Sequence, residues 1–364
     1  MGSDIVLLVV SFVVIIVGAE LFTNAVEWLG VRLSLSEGTV GSVLAAVGTA
    51  LPETLIPVVA LVFLRGEASH EIGLGAILGA PFMLATLGFL VTALAAFVYR
   101  SRRIWGWRLR VNREVVSRDL GFFLPLYGSA IAVSFSPVGH AVRWLVAAGL
   151  VAAYGCYLYL NLREKSEGEK EEPLTFNLIW ACIPLLPPGP DREAHQRRRE
   201  HVSQKAPRLR AVLGQVLLAL VLIMGGALEF VRATREICLI IGFSPLLFSL
   251  IVAPIATELP EKLNSVIWVR QGKDTLSLGN ITGAMVFQAT FPVTLGMLLT
   301  SWQFRGAVSG DTALLSAGIA LASAGVVLIT VRIGRGETMA PWALAMGGLW
   351  WLVFAGYVVA TRIL

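Results

Sequence analysis

The sequence predicts an all-α integral membrane protein with ten transmembrane helices, arranged as two inverted five-helix repeats. Three observations carry the prediction. Of 364 residues, 56% are hydrophobic and only 15% charged, and the mean hydropathy is +0.76, well outside the range of soluble globular chains. Apolar stretches of about 20 residues, enough to cross a hydrocarbon layer of about 30 Å, recur along most of the chain. Finally, Gly48-Thr49-Ala50-Leu51-Pro52-Glu53 and Ala256-Thr257-Glu258-Leu259-Pro260-Glu261 repeat one pattern 208 residues apart, each inside a membrane-length apolar run.

The spans lie near 5–27, 37–63, 73–98, 119–136, 142–162, 211–231, 243–268, 276–301, 310–331 and 340–361. The first has the length of a signal-peptide core but lacks a basic leader and a cleavage site around Gly18-Ala19-Glu20, so it reads as a retained helix. The second and seventh carry the Pro-Glu motifs, and the third and eighth carry Gly75/Gly79 and Gly279/Gly283. Cys156, Cys182 and Cys238 have no CxxC spacing, and His70, His140, His195 and His201 fall in loops, so neither a disulfide framework nor a zinc site is indicated. No Ser/His/Asp grouping, HExxH or phosphate-binding loop is present, and the chain does not read as an enzyme.

A net charge of +5 is read as topology before anything else. With the N-terminus outside, the inside segments hold 22 Lys/Arg and the outside segments six; without the long central loop the balance is 12 to six. Both termini are therefore expected outside. The segment 174–186 is apolar but short, and as an eleventh span it would put the basic runs around it on opposite faces. It reads as interfacial within a cytoplasmic connector, 164–210. Arg197-Arg198-Arg199 lacks interleaved aromatics, which argues against nucleic acid and for anionic lipid head groups.

At the offset of 208, Gly18-Ala19 aligns with Gly226-Ala227, Ala25 with Ala233, Ser36 with Ser244, Ala45 with Ala253, and Thr49, Leu51, Pro52 and Glu53 with Thr257, Leu259, Pro260 and Glu261. The expected units are 1–163 and 211–364. Five spans per unit make the second enter the membrane from the opposite side, with a pseudo-two-fold axis in the membrane plane.

Carboxylates at membrane depth are costly and need a partner. Pro52 and Pro260 interrupt their helices just before the glutamates, and freed carbonyls can join Glu53, Glu261, Thr49 and Thr257 in an all-oxygen shell. Such a shell suits Na⁺ or Ca²⁺ and excludes soft metals. The GxxxG pairs are expected to pack the Pro-Glu helices around that site. Glu258 adds a third carboxylate, with Lys262 four residues on, the favourable order for a helical ion pair.

The blocks 18–88 and 226–296 resemble the two alpha repeats of the cation/calcium exchanger superfamily, whose core is Gly-Thr-Ser-x-Pro-Glu followed by Gly-Asn-x-x-Gly-Ser. The resemblance implies an exchanger-like fold, Ca²⁺ ligation by Glu53 and Glu261 with Thr49 and Thr257 beside them, and ligand positions at Asn280 and Gln288. The sequence departs from the pattern at Ala50, Glu258, Ala76, Ala80, Ala284 and Leu84, which removes side-chain oxygens that relatives use for sodium. The expected function is secondary antiport of Ca²⁺ against Na⁺ in the inner membrane. The alternatives are H⁺ coupling and a membrane protein that transports nothing. The expected partners are inorganic cations and lipid, with no resident cofactor; oligomeric state is not legible.

Overall fold

A computed structural model describes residues 2–32, 51–64, 66–135, 139–165, 209–304, 309–334 and 336–362. Thr49 and nearly all of the connector, 166–208, lie outside them. The described chain is mostly helical. Seven helical segments are long and apolar enough to cross a membrane: Gly2–Ala25, Glu67–Val98, His140–Asn161, Leu209–Ile241, Asp274–Leu299, Gly310–Ile333 and Trp342–Thr361. Two shorter apolar helices, Pro52–Phe63 and Pro245–Ile255, hold the first motif glutamate and the approach to the second.

In chain order, α1 is Gly2–Arg32, and α2, Leu51–Val58, runs into a π turn at Val59–Phe63. Pro57 offers no N–H to the Glu53 carbonyl four residues back, so the ladder is already broken where the pitch widens. Next, α3 (Glu67–Met83) continues through a second π segment, Leu84–Gly88, into α4 (Phe89–Val98). His70, assigned to a loop by the sequence, sits in the first turns of α3. After a two-residue strand β1 (Leu109–Arg110) come α5 (Arg113–Val133) and α6 (His140–Lys165). The expected fourth span maps to α5, which carries Arg118 and Asp119 within its first two turns.

The second half opens with α7, Leu209–Ile241, whose 33 residues absorb the expected outer loop at Arg232 and Arg235. The expected seventh span is two helices, α8 (Pro245–Thr257) and α9 (Leu259–Arg270), which meet at Glu258. Glu258 has φ −95° and ψ 8°, the bridge region, because Pro260 cannot donate back to the Ala256 carbonyl. Helices α10 (Asp274–Gln288), α11 (Phe291–Leu299), α12 (Gly310–Ile333) and α13 (Trp342–Arg362) complete the chain, with strand β2 (Thr338–Met339) before the last.

Small residues set the packing. Along the α1–α7 contact a Cβ on Gly18 would press Ile223 and the Ala219 carbonyl, while one on Gly226 would press Ile15 and the Ser11 carbonyl. These contacts are mutual images, since each residue lies 208 positions from its counterpart. Bulky apolar side chains such as Val6, Val13, Leu217, Val221, Leu145 and Leu352 point outward with half or more of their surface exposed, as helices facing lipid require.

Loops that the charge rule assigns to one side meet one another. Arg103 forms a buried ion pair with Asp274, which also accepts from the Arg110 backbone N–H at 2.7 Å. β1 pairs antiparallel with β2, Leu109 opposite Met339, and Arg113 Nε donates to the Gly336 carbonyl at 2.7 Å. Arg143, assigned to the other side, donates to the carbonyls of Thr300 and Ser301 at 2.9 and 3.1 Å.

Candidate cation site

Helix α2 carries Glu53 in its first turn, and the side chain is buried at 4% exposure. Neither carboxylate oxygen accepts a hydrogen bond from another side chain or backbone among the described residues. A buried carboxylate without donors is unstable unless a cation or proton joins it. Its charged neighbours, in order of strength, are Glu261, Glu258 and Lys262.

Glu261 lies in the first turn of α9 and is likewise buried. The helix break at Glu258 therefore lies immediately before it, and Glu53 sits likewise in the first turn of α2. Asn280, from α10, donates its Nδ2 to the Glu261 backbone carbonyl at 3.3 Å, so it braces the break. Thr257 ends α8, buried, and its hydroxyl donates to the Ala253 carbonyl at 3.2 Å. That bond uses the hydroxyl proton and leaves the oxygen lone pairs for a cation.

Glu258 is fully buried but already engaged. Lys262 Nζ contacts its Oε2 at 3.1 Å, and Gln288 Nε2 reaches its Oε1 at 3.4 Å. The ion pair suggested by the spacing is thus formed. Glu258 and Gln288, both candidate ligands on sequence grounds, are thereby joined to each other, while Gln288 Oε1 stays buried with no hydrogen-bond partner among the described residues. No three His, Cys, Asp or Glu side chains among the described residues converge on one point that could hold a metal. A cation at Glu53 and Glu261 would complete its shell from hydroxyl and carbonyl oxygens.

The first GxxxG pair acts as the sequence suggests. A Cβ on Gly75 would overlap the Leu246 carbonyl, and one on Gly79 would overlap the Leu250 backbone, so α3 of one half lies directly against α8 of the other. Ser249 strengthens the contact by donating to the Ile72 carbonyl at 2.7 Å. Gly279 and Gly283 differ: their described neighbours are the Val115 and Tyr157 side chains rather than a helix backbone.

A second buried polar group, absent from the sequence expectations, centres on Asp119. Asp119 accepts from Thr282 Oγ1 at 2.6 Å and from the Tyr157 hydroxyl at 3.1 Å, tying α5 and α6 to α10. The signal was available, as an acid at the lip of the fourth apolar stretch.

A family profile described as Sodium/calcium exchanger protein matches residues 3–163 and 211–361. The chain belongs to this family. Its members are membrane exchangers, secondary transporters rather than enzymes, and calcium is among their ions. This exchanger-family chain is also similar to the "Putative antiporter CaxA" of Alkalimonas amylolytica, 28% identical over 120 residues, which are 33% of this chain and 37% of that protein. The chain thus spans about a third of the curated relative that it matches. Among solved structures, the H⁺/Ca²⁺ exchanger CAX aligns with a TM-score of 0.66 at 17% identity, covering 98% of this chain and 86% of that one. The sodium-calcium exchanger NCX_Mj aligns at 0.55 and 15%, covering 98% of both chains. Native YfkE aligns at 0.63 and 15%, covering 97% and 91%. At these identities the likeness establishes the exchanger fold, and it includes both a proton-coupled and a sodium-coupled relative.

Proposed function

We propose that the chain is a secondary active antiporter that carries Ca²⁺ at Glu53 and Glu261 against a monovalent cation. The observation that carries this reading is the pair of buried carboxylates, Glu53 and Glu261, each in the first turn of its helix and within electrostatic reach of the other. Two carboxylates balance one divalent ion in charge, with Thr257 and freed carbonyls supplying neutral oxygens. In alternating access, the two halves rock around this fixed site, so that Ca²⁺ released on one side is replaced by the coupling ion.

The architecture proposed is ten spans in two inverted units, 1–163 and 211–364, joined by a cytoplasmic connector, 164–210, with both termini outside the inner membrane. Support comes from the reciprocal Gly18–Ile223 and Gly226–Ile15 contacts, which are what a two-fold axis between α1 and α7 produces. The loop contacts of Arg103 with Asp274 and of Arg143 with Thr300 also join segments of matching parity.

For the coupling ion, H⁺ is favoured over the Na⁺ expected from the family. Two protons neutralise Glu53 and Glu261 without further ligands, whereas Na⁺ needs additional oxygens where the chain has Ala80, Leu84 and Ala284. Purified protein in proteoliposomes, loaded with Ca²⁺ and exposed in turn to a pH and an Na⁺ gradient, tests this. Ca²⁺ flux should follow the pH gradient; no Ca²⁺ flux under either gradient would remove the transport reading.

A further inference from the structure

We propose that Lys262 is a tethered cation that fills a monovalent-cation subsite at Glu258 and so makes exchange independent of Na⁺. The proposal rests on the cation-antiport reading. The contacts of the ammonium are those a bound sodium ion would have. It meets a fully buried carboxylate oxygen, Glu258 Oε2, at 3.1 Å and a main-chain oxygen of the interrupted helix, Pro254 O, at 3.3 Å. Irregular backbone beside a carboxylate is where transporters take Na⁺.

The local fold delivers the ammonium to this position. Residues 254, 258 and 262 remain one above the other across the helix break, because Glu258 N–H donates to Pro254 O and Lys262 N–H to Glu258 O, both at 3.2 Å. The four-carbon stem of Lys262 then folds back over one turn, and its charge lands on Glu258, within electrostatic reach of Glu53. Gln288 Nε2 holds the other Glu258 oxygen at 3.4 Å, so both faces of that carboxylate are committed to the protein.

A subsite filled by the chain itself cannot take up and release a soluble ion during the cycle. Glu258 therefore contributes a neutral pair in every state, and only Glu53 and Glu261 change partner. Removing the ammonium should unmask the subsite: an uncompensated buried carboxylate must take up a proton or a small cation from solution, and the carbonyl beside it favours the cation.

The test is thermal unfolding of the purified full chain in detergent, in NaCl against choline chloride at equal ionic strength. Wild type should melt alike in both salts. Lys262→Met should melt higher in NaCl, by roughly 2–4 °C with Na⁺ tenfold above its half-saturating concentration. Glu258→Gln combined with Lys262→Met, which removes both charges, should lose that response. An equal Na⁺ response in wild type and Lys262→Met overturns the proposal. Wild type supplies a second reading should Lys262→Met not fold: an Na⁺ gradient must not drive Ca²⁺ flux in proteoliposomes, and Na⁺-driven Ca²⁺ flux overturns the proposal. Stabilisation of wild type by Ca²⁺ separately reports the antiport reading. Its absence together with an Na⁺ response in Lys262→Met would remove Ca²⁺ exchange and leave the tethered cation standing.

Discussion

Glu53→Gln should lower Ca²⁺ flux by about 10²–10³-fold, and Glu53→Gln with Glu261→Gln should leave none above the protein-free background. The magnitude follows from the cost of breaking a buried charge pair, about 3–5 kcal/mol, at 1.4 kcal/mol per tenfold. Gln keeps the shape and one carbonyl oxygen but cannot neutralise half of a divalent charge. Fold should survive, because the lone Glu53 carboxylate receives no hydrogen bond from another described residue that the substitution would break. Flux measured in proteoliposomes, alongside elution as a single detergent-solubilised species, separates lost function from lost structure. Undiminished flux in the double variant would place the transported ion elsewhere.

The second large effect is expected at a residue that touches no ion. Gly79→Val puts a branched side chain where α3 meets the Leu250 backbone of α8, and no rotamer relieves an overlap that begins at Cβ. Overpacking of a tight interior costs about 1–3 kcal/mol even where side chains can move aside, so this backbone clash belongs at or above the upper end. The melting temperature in detergent should fall, and Ca²⁺ flux should fall with it, since α8 leads directly to Thr257, Glu258 and Glu261. Gly128→Ala is the matched control: nothing lies within 4 Å of a Cβ there. Its melting temperature should hold or rise slightly, as replacing glycine inside a helix generally allows.

Much of this was legible in the sequence because the bilayer enforces it. An acid or a proline at membrane depth has few tolerated explanations, so Pro52-Glu53 and Pro260-Glu261 point to a cation site from the sequence alone, and of the two expected breaks the one before Glu261 lies within the described residues, at Glu258. The i,i+4 order of Glu258 and Lys262 likewise determined their pairing. Gly75 and Gly79 were legible as an interface with a Pro-Glu span, which they form with α8, whereas Gly279 and Gly283 carry the same pattern and meet only side chains among the described residues. What escaped was decided by tertiary geometry. The resemblance offers Gln288 as an ion ligand, but its contact with Glu258 is set by packing between helices and is not legible from the pattern. The same holds for the bond from Asn280, another position the resemblance offers, to the Glu261 carbonyl. The π segments at Val59–Phe63 and Leu84–Gly88 have no pattern of their own. The Asp119, Tyr157 and Thr282 group joins the consecutive helices α5 and α6 to the distant α10, and only folding brings its hydroxyls to the acid.

Diffraction from crystals of the full chain grown with saturating Ca²⁺, phased to show the calcium anomalous signal, tests the central claim most directly. The account predicts one peak between the Glu53 and Glu261 carboxylates, with Lys262 still on Glu258. A peak at Glu258 with Lys262 displaced, or no peak near either motif glutamate, would contradict it.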